Sequence, residues 1–249
     1  MFQQIPNIIT LGNLFCGCCA FVCLLSGRPD LTPWFLFASF ICDYGDGMAA
    51  RALKVSSPLG KELDSLADVV SFGVVPGGML YLMLATVLCQ PENAAYPATG
   101  RALLLNFSPV CVAALPAFVL SMCAGMRLAK FNLDTRQTTY FIGLTTPACT
   151  VFILGLFLGV QWNLMGLRPF LLNPWLLYGL VPVLCYLMLS EIPMFGMKIK
   201  KLDFKSNFFN LIFAALFVLL VVFLKELSLS AAVLLYVGLS LAFKPSSEA

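Results

Sequence analysis

Histidine is absent from the chain, and its absence removes serine–histidine and cysteine–histidine nucleophile pairs together with the commonest zinc ligands. Any proton transfer falls to Asp, Glu, Lys, Tyr or Cys. Charge is scarce as well, at 11% of residues against 60% hydrophobic, and mean hydropathy is +0.93. That is too little polar surface for a soluble domain. A net charge of +3 is small for a polyanion partner, so no nucleic acid is expected. The first apolar run, 8–26, has no basic segment before it and is long enough to stay as a helix, so no cleavable leader is expected.

The ten cysteines, Cys16, Cys18, Cys19, Cys23, Cys42, Cys89, Cys111, Cys123, Cys149 and Cys185, lie almost wholly in apolar stretches. They are expected to pack as small hydrophobes rather than to build a disulfide framework. Cys16 and Cys19 form the one C-x2-C spacing, but with apolar neighbours and no second pair they do not suggest a metal site.

What the chain does have is long apolar runs, centred on 8–26, 32–50, 66–88, 104–126, 141–160, 173–190, 207–224 and 227–243. A bilayer crossing needs about 20 apolar residues. The expected fold is therefore all-α: a polytopic membrane protein with about eight transmembrane helices, forming a single domain over 1–249. Within it, 207–243 is read as a C-terminal helix pair, split by Lys225 and Glu226, with one long hairpin or a re-entrant pair as alternatives. Pro76, Pro116, Pro147 and Pro182 lie in or near these runs, where neighbouring helices absorb a kink.

With the N-terminus in the cytoplasm, Arg51, Lys54, Lys61, Arg127, Lys130, Arg136, Lys198, Lys200, Lys201, Lys205 and Lys244 face inward, and Arg28, Arg101, Arg168 and Lys225 face outward. Eleven against four satisfies the positive-inside rule. It places the polar stretch 43–68 at the cytoplasmic ends of the second and third helices, within reach of soluble substrates. The Lys198, Lys200, Lys201, Lys205 cluster reads as topology plus attraction to anionic lipid.

The polar stretch runs Asp43-Tyr-Gly-Asp46-Gly47-Met-Ala-Ala50-Arg51, then Gly60-Lys-Glu-Leu-Asp64-Ser-Leu-Ala-Asp68. Spacings of three and four residues put each Asp pair on one helix face, and antiparallel packing of the two helices would converge all four carboxylates. Such a cluster at the hydrocarbon boundary calls for cations. Oxygen ligands without His or Cys favour Mg²⁺ or Mn²⁺, and four carboxylates suffice for two divalent ions that polarise phosphoryl oxygens. Gly47 and Gly60 leave room for a pyrophosphate or a facing helix. Arg51 offers a bidentate fork to a phosphate.

The pattern D-x2-D-G-x2-A-R-x8-G-x3-D-x3-D over 43–68 resembles the signature of the CDP-alcohol phosphotransferases at every fixed position. The resemblance implies a six-helix core, here with two further C-terminal helices, and a homodimer. It implies that Asp43, Asp46, Asp64 and Asp68 hold the metals, and that Asp68 also accepts the proton of the acceptor alcohol. It further implies that Gly47, Arg51 and Ser57 bind the CDP diphosphate.

The signature leaves the acceptor open. Three segments are similar to the phosphatidylserine synthase branch: Ile5-Pro6-Asn7 through Thr10 to Asn13, where Asn7 and Thr10 would lie near the nucleotide; Asp64-Ser65 through Ser71-Phe72-Gly73 to Pro76; and Arg127 through Lys130-Phe131-Asn132, followed by Phe141-Ile-Gly143-Leu144. Thr145-Thr146 stands where that branch would have Pro. The branch implies CDP-diacylglycerol and L-serine as substrates and a bacterial plasma membrane as location. Serine brings a carboxylate, for which Arg127 and Asn132 are candidate contacts and Lys61 a further one. Glycerol 3-phosphate as acceptor, and an ion-coupled transporter using the carboxylates, are the alternatives.

Overall fold

The computed structural model describes residues 4–55, 57–89, 110–133, 141–194, 216, 220, 221 and 223–242, and nearly all of them are helical. α1 (Ile5–Leu25) and α2 (Thr32–Leu53) each start on a proline in the first turn, where the missing N–H has no helical partner to lose. A turn with Gly27 at φ 71° joins them, and the Arg28–Asp30 ion pair of 3.0 Å sits in it. α2 ends at Lys54, in the left-handed conformation.

α3 (Pro58–Asp68), a π-helical stretch (Val69–Val74) and α4 (Val75–Leu88) form one continuous helix. A tight helical stretch (Val112–Phe118) leads into α5 (Val119–Leu133). Beyond them come α6 (Thr146–Gln161), the short α7 (Arg168–Leu171), α8 (Pro174–Leu189) and, at the far end, α9 (Ser228–Ala242).

Ile5–Leu25, Pro58–Leu88, Val112–Leu133 and Lys225–Ala242 are long and apolar enough to cross a membrane, and α6 and α8 are shorter apolar helices. α2 is as long but carries Asp43, Asp46 and Arg51. The helices lie where the sequence predicts crossings, except at 207–224, which falls largely outside the described residues. So do Arg101, Arg136, Lys198, Lys200, Lys201, Lys205 and Lys244 of the charge pattern.

α1 shows how the bundle is built for lipid. Thr10, Asn13, Gly17 and Ala20 are buried, whereas Ile8, Leu11, Phe15 and Val22 are exposed. Small and polar residues face the protein and large apolar ones face outward, as expected where lipid tails are the solvent. The core proper lies deeper, around Leu36, Met79, Met83, Ile153, Phe157 and Leu177.

Both α2 and α3 pack along α1. The two motif helices are thus brought together through α1, rather than through the broad mutual packing that the Asp spacings suggested. At Gly17 a side chain would run into Ser71, so a bare backbone there is what lets α1 lie against the π-helical stretch. Gly73 is similarly tight against Ala124, and the Ser121 hydroxyl donates to the Gly73 carbonyl at 2.7 Å, seating α5 on the other side.

α6 is fixed by Thr150, whose hydroxyl donates to the Phe72 carbonyl at 3.0 Å. Its C-terminal carbonyls are capped by the buried Arg168, which donates to Val160 O at 2.7 Å and Gln161 O at 3.0 Å.

Two features depart from the expectations. A two-residue antiparallel ladder pairs Phe141 with Met194 and Ile142 with Pro193, tying the approach to α6 to the exit of α8. And Cys89 is disulfide-bonded to Cys111, joining the end of α4 to the approach of α5, instead of both packing as thiols. The remaining eight cysteines are free, and Cys149 and Cys185 are buried as the apolar context predicts.

Candidate active site

The site begins with the way α3 starts. Ser57 accepts from the Gly60 N–H at 3.0 Å, an N-cap that lets the helix begin at Pro58, ahead of the apolar run, so that Asp64 and Asp68 sit on regular helix one turn apart. From α2 comes Asp43. Carboxylate oxygens of Asp43, Asp64 and Asp68 all lie within 4.8 Å of one another.

Asp46 is buried, accepts from the Thr10 hydroxyl at 2.6 Å and stands within electrostatic reach of the other three. The structure therefore gathers three of the four predicted carboxylates and ties the fourth, from one turn along α2, to α1. Thr10, expected near the nucleotide, spends its hydroxyl on the protein.

Asp68 is anchored by a residue that the motif does not contain. Asn13, fully buried in α1, donates its amide to Asp68 Oδ1 at 3.1 Å, while its own oxygen accepts from the Ser39 hydroxyl of α2 and its backbone carbonyl from the Ser71 hydroxyl at 3.1 Å. One side chain thus links three helices and fixes one oxygen of Asp68. The sequence signal for Asn13 is an amide in the middle of an otherwise apolar helix, a position kept only for a partner.

The three converging carboxylates repel. At an effective dielectric near 20, two unit charges about 5 Å apart interact by about 3 kcal/mol. Among the described residues no Lys or Arg forms an ion pair with them. Asp64 Oδ1 is buried without a hydrogen-bond partner among the described residues. An orphaned carboxylate oxygen beside two further carboxylates is a donor set that fits a hard divalent cation.

Around this centre, the Arg51 guanidinium lies 3.6 Å from where a Cβ on Gly47 would be, beside an open stretch of backbone. A Cβ on Gly60 would fall 3.0 Å from Asn7 Oδ1 and 3.1 Å from Ser57 Oγ, so Gly60, Asn7 and Ser57 line one small cradle.

Of the residues read as acceptor contacts, Lys61 and Asn132 have protein partners: Lys61 Nζ donates to the Asn132 backbone carbonyl at 2.8 Å, and the Asn132 side-chain amide donates to Ser65 Oγ at 2.7 Å, clasping α5 to α3. Arg127 differs. It is buried, its Nε finds no partner among the described residues, and Asp68 lies within its electrostatic reach. The cleft of about 480 Å³ between Tyr186, Glu191, Pro193 and Leu241 is lined by none of the predicted site residues.

Two helices thus present a carboxylate centre, tied to a third by Asn13 and with Arg127 within electrostatic reach of Asp68, as suits a phosphate-bearing ligand. The chain belongs to the CDP-alcohol phosphatidyltransferase family, whose model matches residues 3–186. It is 34% identical over 190 residues to a CDP-diacylglycerol–serine O-phosphatidyltransferase of Bacillus subtilis, covering 76% of this chain and 89% of that protein. Proteins of the same name from Helicobacter pylori and Mycobacterium leprae are 31% and 32% identical over 150 and 200 residues, covering 59% and 77% of this chain. The chain spans only 54% and 58% of the length of those two. α9 lies beyond the residues that the family model matches.

Proposed function

We propose that the protein transfers the phosphatidyl group of CDP-diacylglycerol to the hydroxyl of L-serine, giving phosphatidylserine and CMP. The observation that carries this reading is the convergence of Asp43, Asp64 and Asp68 around an unpartnered carboxylate oxygen, in a chain of this family. The serine names of the relatives and the buried Arg127, whose Nε has no partner among the described residues, support the choice of acceptor.

Asp43, Asp64 and Asp68 would hold divalent metal, with Asp46 behind them, and the oxygen-only donor set favours Mg²⁺ or Mn²⁺ in a two-ion site. When bound, such ions neutralise charge on phosphoryl oxygens. The work of the chain's own residues is distinct. Arg51 grips the diphosphate and the Gly47 backbone lets it approach, while the cradle of Asn7, Ser57 and Gly60 lies toward the nucleotide.

Arg127 takes the serine carboxylate. Asp68, oriented by Asn13, accepts the serine hydroxyl proton at its other oxygen. The serine oxygen then bonds to the lipid-bearing phosphorus as the bond from that phosphorus to the bridging oxygen breaks, and CMP leaves with that oxygen.

The membrane orientation we favour puts this centre in the cytoplasm. The basic-residue pattern supports it, and so does the Cys89–Cys111 disulfide at the opposite end of α4, since disulfides persist on the oxidising side. A bacterial plasma membrane and a homodimer complete the reading, the first supported by the bacterial relatives and the second by the family resemblance. An ion-coupled transporter is not favoured, because the chain belongs to a phosphatidyltransferase family.

The test is CMP release by the purified protein in liposomes holding CDP-diacylglycerol and Mg²⁺ or Mn²⁺, with L-serine, glycerol 3-phosphate or no alcohol. Release that needs both serine and metal is expected. Release with glycerol 3-phosphate alone overturns the acceptor, and no release with any alcohol overturns the activity.

A further inference from the structure

Arg127 stands where three helices meet at one level. Gly125 of α5 faces Val69, and Gly73 lies against Ala124 and Ser121, so the antiparallel course of α5 brings Arg127 level with the Asp68 end of the π-helical stretch. Thr150 of α6 bonds to Phe72 O and also back to Thr146 O, which puts Thr146, one turn nearer the start of α6, at that same level.

Thr146 is fully buried, and its hydroxyl has no partner among the described residues. The Ala148 N–H of that turn is taken by the Thr145 side chain at 3.3 Å and the Cys149 N–H by the Thr145 carbonyl at 3.0 Å. With those N–H groups satisfied, what the turn leaves unpartnered is the Thr146 hydroxyl. The Arg127 Nε, buried without a hydrogen-bond partner among the described residues, is costly to leave unpaired and is open to an anionic ligand.

α9 completes the enclosure. A Cβ on Gly159 would fall 2.8 Å from Leu227, one on Gly155 would collide with Ser230, and Ser230 donates to Phe152 O at 2.7 Å. These contacts fix an antiparallel register in which Tyr236, six residues past Ser230, lies level with Cys149, six residues before Gly155. Tyr236 is half-buried against the core, and Tyr236 and Cys149 are both within electrostatic reach of Arg127.

We propose that Tyr236 of α9, a helix outside the family-matched residues, is a positioning residue of an acceptor-carboxylate site made by Arg127 and Thr146 at the start of α6. The hydroxyl of Tyr236 holds the guanidinium in place, so that its remaining N–H groups and Thr146 meet the carboxylate of a small amino-acid alcohol. The inference rests on the serine-accepting reading above and deepens it: acceptor selection is shared between the family core and a helix added to it.

The experiment compares L-serine with serinol, which keeps the hydroxyls and the amine but lacks the carboxylate, using the full-length protein in liposomes and following CMP release. The unaltered protein is expected to favour serine by at least about a hundredfold in kcat/KM, the weight of two charge-assisted hydrogen bonds. Tyr236→Phe should raise KM for serine about tenfold while leaving KM for CDP-diacylglycerol and the turnover of serinol in place.

Thr146→Val, which keeps shape and loses the hydroxyl, should act in the same direction. In a double-mutant cycle, Tyr236→Phe should lose most of its effect when combined with Arg127→Lys. If serinol serves as well as serine in the unaltered protein, or if Tyr236→Phe slows both acceptors equally, the carboxylate site is refuted while serine transfer stands. If serine supports no release at all, the acceptor reading itself falls, and this inference falls with it.

Discussion

Asp64→Asn should stabilise the protein when divalent metal is absent and destabilise it relative to the parent when metal is present. Asp64 shares a space of 4.8 Å with Asp43 and Asp68, and one of its oxygens is buried without a partner. Two repulsions of about 3 kcal/mol each are relieved by the substitution at an effective dielectric near 20. Solvent on the polar face and relaxation of the side chains reduce the net gain to on the order of 1–3 kcal/mol. For a chain of this size that corresponds to a rise in Tm of about 2–4 °C per kcal/mol.

The assay is thermal unfolding of parent and variant in the same detergent, with EDTA and with Mg²⁺ or Mn²⁺. The parent is expected to gain strongly from metal by mass action and the variant to gain little, so the order of the two melting temperatures reverses. If Asp64→Asn melts lower than the parent in EDTA, the carboxylates are not in mutual repulsion. If divalent ions leave the parent unmoved, the three Asp residues do not form a metal centre.

Asp68→Asn keeps the shape and the Asn13 contact but cannot take a proton, so turnover with serine is expected to fall by on the order of 10³-fold with the melting temperature little changed; activity within tenfold of the parent would reject Asp68 as the base. Asn13→Ala removes the link between Asp68 and Ser39 and leaves both unpaired, so activity should fall about 10- to 100-fold and stability by about 1–3 kcal/mol, read by kinetics and by unfolding in parallel. The Cys89–Cys111 bridge closes a separation of 22 residues, and its double serine variant should lose about 3 kcal/mol of stability without a change in KM for serine. In intact vesicles, Cys89 and Cys111 should react with an impermeant thiol reagent after reduction only from the face opposite the active site; labelling from the active-site face would reverse the orientation.

The carboxylate cluster was legible in part because Asp64 and Asp68 sit one helical turn apart, so that they needed only a regular helix to share a face. The sequence did not show how the halves meet. That depends on Gly17 letting α1 press against Ser71, and on Asn13 falling at the crossing, which is a matter of helix register rather than residue type. The same limit applies to polar residues whose partners lie on another helix. Lys61 and Asn132 have the chemistry to bind serine, yet where the start of α3 meets the end of α5 Lys61 reaches the Asn132 backbone carbonyl and the Asn132 side chain reaches Ser65.

Cys89 and Cys111 looked like other apolar-context cysteines because nothing local distinguishes a thiol whose partner lies 22 residues away at the end of a neighbouring helix. α9 is the strongest case. Its composition says only that it crosses the membrane, and its bearing on the proposed site comes from Gly155 and Gly159, two residues on another helix that set a register in which Tyr236 lies within electrostatic reach of Arg127. In a bundle whose helices are apolar almost throughout, glycine positions decide which polar residues meet.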